Sequence, residues 1–232
     1  MKWRSLEESV SGAETRSLRE IFAERKDLIA KYVPAEIRAV HARVVTELKE
    51  KHFAHTILKA GCTAPSFELP DHNGKLISSG DLLSHLQVVV CFFRGRWCPF
   101  CVGQLEAMNQ VLPQINEAGA SLIAISPQTV QQSFFMVDQH KLRFPLLSDA
   151  GNNVARQFGL VYRVPDGQQA IYRRAFVNLP FANGDDSWEL PIPATFIVDR
   201  DGTVRCVFAD EDYTERPEPQ EILHRLQAGR VE

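Results

Sequence analysis

One junction constrains this chain more than any other feature. Leu86-Gln-Val-Val-Val-Cys-Phe-Phe93 is a β-branched and aromatic run of strand length, and the apolar residues Leu105, Met108, Leu112 and Ile115 then recur at helical spacing. Between strand and helix lies Arg94-Gly-Arg-Trp-Cys98-Pro-Phe-Cys101. Two thiols three positions apart at a helix start face the same side, with Cβ atoms about 5–6 Å apart before adjustment, and a modest closure gives disulfide geometry. The unpaired N–H groups and positive dipole end of the first turn favour thiolate over thiol, and the thiolate is the nucleophile. Cys98 and Cys101 are therefore the candidate catalytic pair, with Arg94 and Arg96 as nearby positive charges. A Cys-x-x-Cys by itself also serves metal sites.

Composition narrows the setting. The chain has 232 residues, 44% of them hydrophobic, and a formal charge of -3, enough for a full core in one globular domain plus an extension. No dense basic stripe or acidic block argues for nucleic acid or for an anionic membrane surface. No stretch reaches the ~18 apolar residues of a membrane span, and the charged first twenty residues carry no signal-peptide pattern, so the expected location is the cytoplasm. Five cysteines, one of them an odd leftover, do not resemble a secreted disulfide framework.

Apolar residues at helical spacing from Leu18 to Tyr32, and again from Ile37 to Leu48 after Pro34, predict a two-helix N-terminal arm. Its expected role is packing against the main domain, with a dimer contact, and hence a possible homodimer, as the alternative. From Ala60 to Ile77 the pattern is strand, Asn73-Gly74 turn, strand. Ala120–Ser126 reads as a buried strand, Val130–His140 as a helix and Phe144–Leu147 as a short strand, which makes a β-α-β alternation with parallel neighbours. Ala194–Asp199 and Thr203–Phe208 flank an Asp201-Gly202 turn and predict an antiparallel hairpin, closed by a helix holding Ile222, Leu223 and Leu226.

In chain order, Ala64-Pro-Ser-Phe-Glu-Leu69, the cysteine motif, Ile125-Ser-Pro127, Phe144-Pro-Leu-Leu-Ser-Asp149, Phe158-Gly159 and Pro193-Ala-Thr-Phe-Ile-Val-Asp-Arg-Asp-Gly202 resemble the peroxiredoxin branch of the thioredoxin fold, the alkyl hydroperoxide reductase and thiol-specific antioxidant family. The resemblance spans about Gly61 to Leu226. It implies a thioredoxin-like α/β fold, a mixed sheet flanked by helices, with residues 1–59 as the helical arm and 60–232 as the redox domain. The family's Pro-x-x-x-Thr-x-x-Cys falls here with Arg94 at its Pro, Cys98 at its Thr and Cys101 at its peroxide-attacking Cys. Where the family carries an Arg before the Ala194-Thr-Phe strand, this chain has Pro193, as thioredoxin-like proteins do. That makes Ile192-Pro193 a candidate cis bond, with the Ile192 backbone facing an incoming peptide strand. Arg94 or Arg96 then stands in for the missing Arg, and Trp97 is either a groove wall or plain packing.

Three functions follow. In the first, a thiol peroxidase, Cys101 attacks a hydroperoxide, Cys98 resolves the sulfenic acid as a disulfide, and a thioredoxin-type or glutathione-type reductant restores the pair. In the second, Cys98 attacks a substrate disulfide and Cys101 resolves it, with no peroxide involved. The third is a non-enzymatic thiol or zinc-binding interaction module, which needs four ligands; no second Cys-x-x-Cys exists, and His52 and His55 fall on the arm. No metal or organic cofactor is implied. Of the other residues, Cys91 and Cys206 read as core and Cys62 as a loop thiol. Thr195 reads as an ordinary strand residue, and His72, His85 and His140 as surface.

Overall fold

The computed structural model describes residues 16–228, so the reading of the first fifteen residues lies outside it. Its centre is a five-stranded mixed sheet made of β3 (Gln87–Phe92), β4 (Ala120–Ser126), β5 (Leu146–Ser148), β8 (Ala194–Val198) and β9 (Val204–Ala209). Their order across the sheet is β5-β4-β3-β8-β9. β3, β4 and β5 run parallel, while β8 is antiparallel to both β3 and β9. Side chains alternate across β3 with period two. Val88, Val90 and Phe92 pack with Ile123, Ile125, Phe158 and Phe196 on one face, and Val89, Cys91 and Phe93 with Leu105, Met108 and Ile222 on the other. A strand buried on both faces explains why this run is continuously apolar rather than alternating.

The face holding Cys91 is covered by α4 (Pro99–Gln110), α5 (Leu112–Glu117), α6 (Val130–His140) and α10 (Pro219–Ala228). The hairpin ahead of β3 forms as β1 (Glu68–Pro70) and β2 (Leu76–Ser78), with Gly74 at φ +81° in its turn. A short helix that the sequence did not announce, α3 (Ser79–His85), follows it. The expected hairpin of β8 and β9 turns at Gly202, φ +85°, where Asp199 N–H donates to Thr203 O at 2.9 Å.

Both arm helices, α1 (Leu18–Tyr32) and α2 (Ala35–Glu50), lie against the rest of the chain. Ser17 caps α1 in a capping box with Glu20. Phe22 meets Phe100 edge-on at 5.0 Å between ring centres, and Arg25 donates to the carbonyl of Pro99. The free N–H groups of Leu18 and Arg19 donate to Glu218 at 3.0 and 2.6 Å. From α2, Val44 and Leu48 pack on Ile192.

Residues 153–191, which the apolar pattern left unread, form α7 (Asn153–Gln157), β6 (Val161–Arg163), α8 (Asp166–Arg174), α9 (Leu179–Asn183) and β7 (Glu189–Pro191), with β6 and β7 paired antiparallel. Two expectations are corrected here. Every peptide bond among the described residues is trans, Ile192-Pro193 included: β7 delivers the chain to β8 already extended, with Ile192 N–H donating to Leu160 O at 2.8 Å, so the ordinary isomer suffices. His140 is not a surface residue. Its Nδ1 lies 2.8 Å from Glu106, and both side chains are nearly buried.

One glycine carries an expected outcome. Gly159 has φ +71°, and a Cβ there would lie 1.8 Å from the carbonyl oxygen of Thr56. The same segment is tied down by Thr56 Oγ1 on Gly159 O and Leu58 N–H on Phe158 O. Gly159→Ala therefore meets both a positive φ and a backbone clash, and is expected to lower unfolding free energy in urea by about 2–4 kcal/mol.

Candidate active site

The end of β3 and the start of α4 hold the two thiols. Cys98 is the N-cap of α4 and Pro99 its first residue, where a missing N–H costs nothing; Cys101 N–H donates back to Cys98 O at 3.1 Å. The approach to the cap is pinned on both sides. Gly95, φ +141°, lets the Trp97 ring fold back to where a Cβ would lie 2.6 Å from its Nε1. Arg96 N–H donates to Gln128 at 2.9 Å, Gln128 donates in turn to the Ser133 hydroxyl, and Ser133 bonds Ser148. Such anchoring positions the thiols on a rigid element.

Both sulfurs are buried, with Cys98 1% and Cys101 0% exposed, and both are free thiols. Cys101 Sγ accepts from the Arg94 backbone N–H at 3.5 Å and from Arg216 Nη2 at 3.5 Å. Arg216 is fixed by Nε on Gln104 Oε1 at 2.7 Å and by Nη1 on the carbonyls of Tyr213 and Glu215. Burial alone would raise the Cys98 thiol. The hydrogen bond from Cys101 and the guanidinium groups of Arg94 and Arg216 outweigh it and bring the group to about 5. Cys101 goes the other way: burial, its bond to Cys98 and the neighbouring negative charge hold its proton well beyond the ordinary thiol range. The two shifts run in opposite directions because each sulfur acts on the other.

The two sequence-nominated arginines separate. Arg94 lies fully buried beside the thiols, its guanidinium 4.9 Å over Trp97 and 4.3 Å over Tyr213. Arg96 turns outwards, with Nε on Gln132 at 2.7 Å. Trp97 sits 5.3 Å from the Tyr172 ring, so it packs. Ile192 is buried under the arm, and its N–H is already taken by Leu160 O, which leaves no donor for an incoming peptide strand there. Pro193 lines a cavity of about 310 Å³ with Gln104, Thr195, Phe208, Asp210 and Arg216.

Cys91 is a core residue, pushed up to about 12 by burial, with Sγ 3.7 Å from Thr195 Oγ1. Thr195 does more than fill a strand, since Gln104 Nε2 donates to its hydroxyl at 3.2 Å and Gln104 also holds Arg216. Cys206 is only half-buried and Cys62 is exposed. Among the described residues, no cluster of three or more His, Cys, Asp or Glu forms a metal-holding group, and no helix is long and apolar enough to cross a membrane. Sequence reading missed Arg216, Gln104, Tyr172 and Tyr213. Arg216 lies in Asp-Tyr-Thr-Glu-Arg-Pro-Glu-Pro, which carries no signal beyond that of a charged loop.

Comparison with known proteins gives one consistent result. Peroxiredoxin Bcp of Escherichia coli K12 is 26% identical over 153 residues, covering 66% of this chain and 86% of that protein. A putative peroxiredoxin of Mycobacterium tuberculosis H37Rv is 31% identical over 120 residues, 52% of this chain and 78% of that one. Among solved structures, Peroxidoxin BcpB from Mycobacterium tuberculosis superposes with a TM-score of 0.60 at 26% identity, covering 75% of this chain and 99% of that one. The AhpC/TSA family model matches residues 60–207, a span that contains both cysteines and the sheet through most of β9 but stops short of Arg216. A match over more than half the sequence, on the sheet and helix that carry the thiols, makes the chain a member of the AhpC/TSA family and a thiol-dependent peroxidase of the peroxiredoxin kind.

Proposed function

We propose that this peroxidase reduces a hydroperoxide through Cys98 and Cys101, with Cys98 as the attacking thiolate and Cys101 as the resolving thiol. One arrangement carries the reading: Cys98 is the N-cap of α4, and against the burial that would raise it, Cys101 and the guanidinium groups of Arg94 and Arg216 draw its thiol down, while burial and Cys98 itself push the Cys101 thiol up. Cys98 thiolate attacks the terminal oxygen of ROOH, the O–O bond breaks, and ROH leaves after taking a proton. Cys101 thiol then attacks the Cys98 sulfenic acid, expelling water and forming the disulfide. A thioredoxin-type dithiol returns two electrons by exchange, restoring Cys98 as thiolate and, with one proton, Cys101 as thiol. The natural oxygen-binding group is Arg216, which points at the pair and borders the cavity.

A second assignment, Cys101 as the attacking sulfur, draws support from the two donors on its Sγ, Arg94 N–H and Arg216 Nη2. The test is stopped-flow consumption of hydrogen peroxide and an organic hydroperoxide by pre-reduced protein, with the product mapped by mass spectrometry. A loss of two hydrogens on the peptide holding Cys98 and Cys101, at a rate well above that of a free thiol, is the expected result. A rate equal to that of a free thiol overturns the peroxidase step and leaves disulfide exchange by the same pair. Arg216→Met is expected to lower kcat/KM for peroxide by roughly 10²–10³-fold, the size of one lost anion-stabilising donor.

A further inference from the structure

Arg94 stands where the family motif has proline, and it is 1% exposed. Its Nη2 donates to the Tyr172 hydroxyl, and its guanidinium lies over Trp97, Tyr213 and Tyr172 at 4.9, 4.3 and 5.9 Å. His41 of α2 closes the outer side, 5.9 Å from the Tyr172 ring and 6.3 Å from that of Tyr213, with its Nδ1 2.9 Å from Gln168. The cage is assembled from the motif, the arm, α8 and the 210–217 loop, most of it outside the sheet. Arg94 Nε has no hydrogen-bond partner among the described residues, and the ion pairs of those residues all lie elsewhere.

The groups facing this cation are Tyr162, Tyr172, Tyr213, His41, Cys98 and Cys101, together with the Arg216 cation at the thiols. Burial holds the proton on each phenol beyond its ordinary range, and burial together with Arg94 keeps the His41 imidazole neutral at pH 7. Only the thiol pair is left to carry a negative charge there at neutral pH. A buried charge that loses its partner is strongly unfavourable.

We propose that Arg94 is a positioning residue that makes the Cys98–Cys101 disulfide a strong oxidant, because its buried charge is balanced by a thiolate in the reduced protein and left unbalanced in the disulfide. The inference rests on these two cysteines being the redox pair. Oxidation converts Cys98–S⁻ and Cys101–SH into the disulfide with loss of two electrons and one proton; the hydroperoxide takes the electrons, that proton and one more from solvent, and becomes alcohol and water. Arg94 and Arg216 then face a neutral sulfur pair. The return step, exchange with an external dithiol, regains the thiolate and is driven by the same two cations, so even a weakly reducing donor suffices.

The experiment equilibrates the full chain in glutathione redox buffers at pH 7 and counts free thiols by alkylation mass shift. Arg94→Met, close in volume and uncharged, is expected to move the dithiol–disulfide equilibrium constant at least tenfold towards the disulfide, about 30 mV for a two-electron couple. Arg94→Lys, which keeps the charge, is expected to move it less. A second measurement needs no variant: the reduced wild-type protein is expected to melt above its disulfide form. A disulfide form that melts as high as the reduced one, or a folded Arg94→Met protein with an unchanged constant, overturns the proposal even where peroxide turnover is intact. If no Cys98–Cys101 disulfide forms in any buffer, the redox assignment of the pair fails along with it.

Discussion

Cys98→Ser is expected to lower kcat/KM for peroxide by about 10³-fold or more, the scale on which removing a nucleophile acts, while Cys101→Ser retains a single fast turnover that ends in a sulfenic acid on Cys98. The asymmetry follows from charge. With the Cys98 thiol drawn down and the Cys101 thiol pushed up, the proposed assignment makes Cys98 the nucleophile at pH 7. The hydroxyl introduced by Cys101→Ser no longer resolves the sulfenic acid, but Arg94 and Arg216 still favour the anion at position 98. Stopped-flow traces at substoichiometric peroxide, with sulfenic acid trapped by a dione and mapped to its peptide, distinguish the outcomes. If the sulfenic acid appears on Cys101 in the Cys98→Ser protein and consumption there stays fast, the roles are exchanged and the alignment with the family's attacking cysteine is the correct guide. Equal loss in both variants, with no trapped acid in either, would show that neither thiol attacks peroxide alone.

The core of this molecule is legible in its sequence for a simple reason. β3 and β4 are buried on both faces, so their residues are continuously apolar, and α4 starts at a proline beside two cysteines. The β8–β9 hairpin announces itself through Asp201-Gly202, because only a positive φ closes that turn cheaply. The segment from 161 to 191 stays hidden because α8, Asp-Gly-Gln-Gln-Ala-Ile-Tyr-Arg-Arg, buries two glutamines and a tyrosine rather than an aliphatic stripe. The site divides along the same line. The thiols and Arg94 are local to the motif. Arg216 reaches Cys101 across 115 positions of sequence, and its partner Gln104 resembles any polar residue on a helix. Where the sequence has Pro193 ahead of this strand, a guanidinium nevertheless reaches the thiols, from a loop beyond the family match. Arg96 shows the converse, a residue adjacent in sequence that Gln128 and Gln132 turn away from the thiols.

A depressed thiol also fixes how stability depends on pH. Cys98 falls from 9.0 in the ordinary thiol to about 5 in the folded protein. Between those values the unfolded chain carries a proton on this sulfur and the folded one does not, so stability rises with pH across that window and is lost as pH falls towards 5. Each unit contributes at most about 1.4 kcal/mol from this one group. Cys101 acts in the opposite sense but only above about 9, since below that both states keep its proton. His41, lowered to about 4 by burial and Arg94, and Asp149, raised by burial despite the backbone N–H groups it accepts, titrate in both wild-type and Cys98→Ser proteins and cancel in the comparison. Urea unfolding of the reduced wild-type protein between pH 5.5 and 8 is therefore expected to gain on Cys98→Ser steadily with pH, while the disulfide form shows no such gain. Parallel curves for reduced wild type and Cys98→Ser would mean that no thiolate is held at position 98, and the case for Cys98 as the attacking group would go with it.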